Sequence, residues 1–184
     1  MNYYVDIRIL PNPEFSDCII MNELFSCLHK ALVEYDKGDV GVSFPNVDKT
    51  LGALLRLHGH QSSLEQLMAI LWTNRIKDNV SISAITPIPE DVSYRVVKRF
   101  QTKSSTERLI RRSVRKGWLT QEEASLRISN KSEKLLSLPY LRIKSLSTRQ
   151  IFLLFVEHGP ILTTPVTGAF SAYGLSSNAT IPWF

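Results

Sequence analysis

The strongest chemistry written in this chain is cationic. From Arg95 to Lys116 the sequence RVVKRFQTKSSTERLIRRSVRK sets nine basic residues against the single acid Glu107, whereas the whole chain carries only +5. The positive charge is therefore one local device on a mildly acidic body. Arg108, Arg111, Arg112, Arg115 and Lys116 recur at i, i+3, i+4, i+7 and i+8, which stacks them along one face of an α-helix. Leu109, Ile110 and Val114 fall to the other side and can pin that helix to a protein surface. Such a run can be a plain solvated basic face, but acids are not interleaved to pair with these cations, so the pattern favours a polyanion such as nucleic-acid phosphate. Just upstream, Arg99, Gln101 and Lys103 share one side of an extended run at period two.

Other reactive side chains are sparse. His29 lies one residue past the apolar position Leu28, on the flank of a predicted helix. Read alone, it is either a general base or a satisfied structural histidine. His58 and His60 form an H-x-H pair with no third ligand at a recognisable spacing, and Cys18 and Cys27 match no zinc pattern, so no metal and no cofactor are expected. Ser145 and Ser147 lie two apart on a predicted strand, but no G-x-S-x-G elbow or phosphate-cradling glycine loop is present.

These residues need a frame. At 184 residues, with 43% apolar and 21% charged side chains, the chain reads as an ordinary soluble globular protein of one large or two small domains. No apolar run approaches the roughly 18 residues of a membrane span. With two cysteines and no signal-peptide pattern ahead of MNYYVDIRIL, a cytoplasmic location is expected. Tyr3 to Leu10 alternates as a strand, with Tyr3, Val5, Ile7 and Ile9 on one face. Met21, Leu24, Phe25, Leu28 and Leu32 recur at helical spacing within Ile20 to Tyr35. Strands follow at Val40 to Phe44 and Leu54 to His58. A helix through Leu64, Leu67, Met68 and Leu71 is expected to start from a Ser62/Glu65 capping box. Val80, Ile82 and Ala84 alternate as a fourth strand.

The order βαββαβ predicts an α+β class with a ferredoxin-like sandwich over residues 1–86. Thr86 to Glu90, with two prolines, is expected to resist helix and sheet alike and to mark a boundary. A smaller α+β domain over 94–184 would carry the arginine-rich helix, ended by Gly117. Thr120 and Glu123 make a second capping box, for a helix through Leu126 and Ile128. Strands are predicted at Tyr140 to Ser147, Ile151 to Val156 and Ala169 to Leu175.

The tail FSAYGLSSNATIPWF, the segment LRIKSLSTRQIF, the opening VDIRILPNPEF, the GVSFP loop and the arginine helix occur together and in order. In this combination the chain resembles the CRISPR-associated endoribonucleases that cut repeat hairpins in subtype I-F systems. The resemblance implies a metal-independent ribonuclease that binds the stem-loop of CRISPR repeat RNA and cuts at its 3′ base. It also implies that the enzyme keeps the guide RNA within a surveillance complex containing other protein subunits. His29 matches the catalytic histidine of that family, which would take the proton of a ribose 2′-hydroxyl and leave a 2′,3′-cyclic phosphate. Ser145 matches the serine that holds the 2′-hydroxyl, with Ser147 beside it. Tyr173 matches a tyrosine that orients the histidine, although the residue alone reads equally as a packed aromatic. Phe152 matches an aromatic that stacks on the base pair at the foot of the hairpin; in IFLLF it also reads as core. Arg99 and Gln101 match residues reading base edges, and Arg112 matches a groove-lining arginine. Lys116 stands where the family pattern has arginine, keeping the charge but losing the planar fork. Arg108, Arg111 and Arg115 are assigned to phosphates. The readings from other classes are a non-catalytic RNA-hairpin-binding subunit and, more weakly, a DNA-binding architectural module.

Overall fold

Alternation of apolar Val5, Ile7 and Ile9 with polar Asp6 and Arg8 builds β1 (Tyr3–Ile9), the strand around which the first sheet forms. The computed structural model describes residues 1–101, 114–117, 120, 122–123, 137–145 and 148–184. After β1 the chain runs through α1 (Asp17–Tyr35), β2 (Gly41–Ser43), β3 (Leu54–Gly59), α2 (Gln61–Ala69) and β4 (Val80–Ile82). The strands lie in the order β2-β3-β1-β4 and every pairing is antiparallel, with Val5 opposite Leu57 and Ile9 opposite Val80. This is the ferredoxin-like arrangement that the order of elements predicts. The expected apolar stripe of α1 is buried from Met21 to Leu32 and meets Leu64 and Leu67 of α2 over β1 and β3 in one core. α1 begins earlier than its apolar period, because Ser16 takes the extended N-cap position and Asp17 sits in the first turn, where a negative charge suits the helix end.

Two local expectations fail. α2 begins at Gln61 with His60 as its N-cap, so Ser62 is inside the helix and the Ser62/Glu65 capping box does not form. Glu65 instead accepts a hydrogen bond from the Gln61 side chain at 2.9 Å. The proline segment is not free of sheet either: β5 (Thr86–Pro87) pairs with Tyr3 and Tyr4 of β1. Only two residues long, it tolerates a proline that has no N–H to give.

The second sheet contains β6 (Ser93–Phe100), β7 (Tyr140–Lys144), β8 (Ile151–Leu162) and β9 (Thr180–Trp183), in the order β7-β8-β6-β9. β8 extends well beyond the predicted Val156. The strand expected at Ala169 to Leu175 is absent. There the Ser171 N–H and hydroxyl both donate to the Leu175 carbonyl, Gly174 donates back to Ser171, and Gly174 sits at φ +66°. That is a closed turn, and the last strand forms further on at the sheet edge, where Pro182 costs no ladder bond. Val97, Leu141, Ile143, Leu154 and Val156 of this sheet join the same buried cluster as α1 and the first sheet.

The rear of the first sheet is covered too. β3 is buried along its whole length, including Arg56 and His58, which alternate with Leu55 and Leu57. Arg56 makes a bidentate pair with Asp6 at 2.6 and 3.0 Å, donates to the Phe184 main-chain oxygen at 2.8 Å, and packs against both the Tyr4 and Phe184 rings. One guanidinium thus fastens the segment after β9 to β1 and β3. His58 contacts Ser43 Oγ at 2.8 Å. Among the described residues no helix is long and apolar enough to cross a membrane.

Candidate active site

Phe25 and His29 are one helical turn apart on α1 and so present their rings to the same side. The turn Ser171–Leu175 lies across them. The Ala172 carbonyl accepts a hydrogen bond from His29 Nδ1 at 2.7 Å, and the Tyr173 ring lies parallel to the imidazole, 4.1 Å between centroids and 13° between planes. Tyr173 is also parallel to Phe25, at 6.4 Å and 5°. A carbonyl can only accept, so Nδ1 carries the proton and the neutral ring keeps its lone pair on Nε2. Among the described residues no donor reaches Nε2. An imidazole held in one tautomer by a main-chain carbonyl, and in one plane by a stacked ring, is organised as a proton acceptor.

The turn is seated by its own main chain. The Val42 N–H of β2 donates to the Gly174 carbonyl at 2.8 Å, and a Cβ on Gly174 would stand 2.2 Å from Val42 Cγ2. Gly174→Ala is therefore expected to lose stability by at least about 1–2 kcal/mol, the cost of a left-handed L-residue. It should lower activity as the turn lifts from His29; urea midpoints beside turnover measurements check both.

The second sheet brings the other residues to this place. Arg99 on β6 faces Val156 on β8, and its guanidinium lies 5.2 Å from the Phe152 ring and 5.6 Å from that of Tyr173. Phe152, partly buried, pairs with Ile143 on β7. Ser145 follows β7 at the mouth of the hairpin into β8. Its N–H donates to the Gln150 carbonyl at 2.8 Å, and its Oγ accepts from the Thr148 N–H at 3.2 Å. The hydroxyl oxygen is thus tied to the Thr148 main chain.

His29, Tyr173, Arg99 and Phe152 therefore converge, and Ser145 sits on the hairpin that carries Phe152. Gln101 is exposed immediately beyond β6. Arg115 and Lys116 are exposed at the end of a helical segment that Gly117 closes at φ +72°. The Thr120/Glu123 capping box forms reciprocally, with bonds of 3.0 and 3.2 Å. Arg108, Arg111, Arg112, Ser147 and the expected helix through Leu126 and Ile128 lie outside the described residues. Among the described residues no group of three or more His, Cys, Asp or Glu side chains is placed to hold a metal ion.

Three contributors escape sequence reading. The Ala172 carbonyl carries no side-chain signal at all. Phe25 reads only as one more member of the apolar stripe. Gly174 reads as part of a strand until its φ is known.

The chain matches a family model described as CRISPR-associated protein (Cas_Csy4) over residues 4–184. It is 50% identical over 184 residues to the CRISPR-associated endonuclease Cas6/Csy4 of Escherichia coli (strain UTI89 / UPEC), with all of both chains covered. To the protein of the same name from Pseudomonas aeruginosa (strain UCBPP-PA14) it is 41% identical over 187 residues, again with both chains fully covered.

Proposed function

Because the chain belongs to the Cas_Csy4 family of CRISPR-associated proteins, we propose that it is a metal-independent endoribonuclease that cuts CRISPR repeat RNA at the 3′ base of its hairpin. The observation that carries this reading is the imidazole of His29, held by Ala172 and Tyr173 with Nε2 free to accept a proton. In the proposed reaction Nε2 removes the proton from the 2′-hydroxyl at the scissile nucleotide. The 2′-oxygen attacks its own adjacent phosphorus, the bond to the 5′-oxygen of the next nucleotide breaks, and that oxygen takes up a proton. The products are a 2′,3′-cyclic phosphate and a free 5′-hydroxyl, and DNA lacks the nucleophile.

The remaining assignments are part of the same proposal. Ser145 holds the 2′-hydroxyl in line, and Tyr173 keeps the imidazole in plane. Phe152 offers its face to the base pair that closes the stem, a contact worth roughly 1–3 kcal/mol. Arg99, whose guanidinium lies 5.2 Å from the Phe152 ring and 5.6 Å from that of Tyr173, would read a base edge with its planar fork, and Gln101 follows beyond the end of β6. Arg108, Arg111, Arg112, Arg115 and Lys116 grip the stem, largely through its phosphates, with Ser147 beside the cut. The base thus comes from residues 1–86 and the RNA grip from 94–184, the proposed division into domains. Retention of the cut RNA within a larger cytoplasmic assembly completes the proposal.

The test is cleavage of repeat hairpin RNA in excess EDTA, with the chemistry of the new 3′ end determined. A cyclic phosphate at the foot of the stem is expected. Tight binding without any cut would instead identify a hairpin-binding subunit, and a cut abolished by EDTA would sink the metal-free mechanism.

A further inference from the structure

A cavity of about 350 Å³ opens between the start of α1, the loop around Lys49 and the edge strand β7, apart from the residues gathered at His29. Its floor is apolar, formed by Met21, Leu51 and Leu141, all buried. Its rim is not: Lys49 and Arg142 are both exposed there, and no lining residue is acidic. Tyr140 stands on the same rim, 54% exposed and therefore with ring surface to offer, while Phe155 braces it at 5.6 Å. Asn22 ties the two walls together, since its Oδ1 accepts from the Arg142 N–H at 2.8 Å; no described residue takes a hydrogen bond from its Nδ2. Two cations, an aromatic face, an amide donor and an apolar floor are the parts that hold one unpaired nucleotide: phosphate on the cations, base against the ring.

The position of the cavity says which nucleic acid reaches it. Asn22 lies on the same helix as His29, seven residues away, or about 10 Å along the axis. Arg142 lies on the strand that leads to Ser145, about 10 Å further along. The cavity and the reacting centre thus sit along the same two elements, close enough for a short single strand to join them. We infer that this cavity, formed by Lys49, Arg142, Tyr140 and Asn22, is a subsite for an unpaired nucleotide of the strand flanking the hairpin. The inference rests on the hairpin-binding function proposed above.

The experiment uses the full chain and three RNAs, each with a 2′-deoxy scissile nucleotide so that binding alone is read. One is the blunt hairpin, one carries a single-stranded 5′ extension, and one a 3′ extension. One of the two extensions is expected to tighten binding about tenfold, and which one does so identifies the flank. In Lys49→Ala/Arg142→Ala, two exposed positions whose loss leaves the core intact, that gain should vanish. The salt slope for the extended RNA should fall by about 0.7, the value of one single-strand phosphate, and affinity for the blunt hairpin should stay unchanged. If neither extension helps, or the gain survives the double variant, with the blunt hairpin still bound, the subsite is overturned and hairpin binding stands. Failure to bind the blunt hairpin would overturn both.

Discussion

Exchange of His29 for alanine is expected to slow single-turnover cleavage of the repeat hairpin by about 10²–10⁴-fold, the usual worth of a positioned general base. Binding of the hairpin should be unchanged, because the grip is assigned to other residues. The imidazole is 9% exposed and stacked on Tyr173, so alanine also removes packing. His29→Gln separates the two effects. Its amide can still donate to the Ala172 carbonyl and fill much of the ring's volume, yet it has no lone pair basic enough to take a proton from a hydroxyl. Both variants should lose the same order of rate, and glutamine should melt closer to the parent. A glutamine variant that cuts at the parent rate would show that His29 is a structural residue and that the base lies elsewhere.

The site divides sharply into what the sequence made legible and what it did not. Elements with a clean period were legible: the alternation of β1, the stripe of α1, and the βαββαβ order that fixes the first sheet. The Thr120/Glu123 box forms where Ser62/Glu65 does not. At Ser62 the chain already turns at His60, whose carbonyl accepts the N–H groups of Ser63 and Leu64 before Ser62 can cap anything. The segment from Ala169 to Leu175 failed for a different reason. Its aromatic and small residues resemble a strand, but its polar groups close on themselves through Ser171 and Gly174, and the turn is seated by main-chain bonds to Gly38, Val42 and Val97. Much of the geometry around His29 depends on this misread turn, since it supplies the carbonyl and the ring that fix the imidazole. Likewise, the alternation of Leu55 and Leu57 with Arg56 and His58 implies one dry and one wet face. The wet face is dry as well, because Phe184 packs on it.

That covered face has a consequence for acid stability. His58 is fully buried and pushed down to about 3, first by burial and then by the Arg56 guanidinium. His158 is pushed down to about 4, by burial and then by Arg95. Its ring stands edge-on to Phe44 and Trp183, and its Nε2 has no partner among the described residues. Both histidines are neutral in the folded chain, whereas in the unfolded chain they charge near 6.5. Between those values the unfolded state binds more protons, so stability rises with pH; it is fully present above about 6.5 and is lost as pH falls toward 4. Each unit of pH costs about 1.4 kcal/mol per histidine, so acidification from 7 to 4.5 should remove about 5 kcal/mol, much of an ordinary domain's stability. Urea unfolding at several pH values checks this, and His58→Gln should roughly halve the slope; an equal slope in variant and parent would refute the assignment. The loss should also reach the active site, because His58 packs against Phe184 and His158 against Trp183 of β9. Charging His58 puts a second cation beside Arg56, which fastens Phe184, and charging His158 loosens its own contacts with Phe44 and Trp183. The turn that carries Ala172 and Tyr173 is strung between β8 and β9, so once those strands lift, His29 loses the partners that hold its lone pair in place.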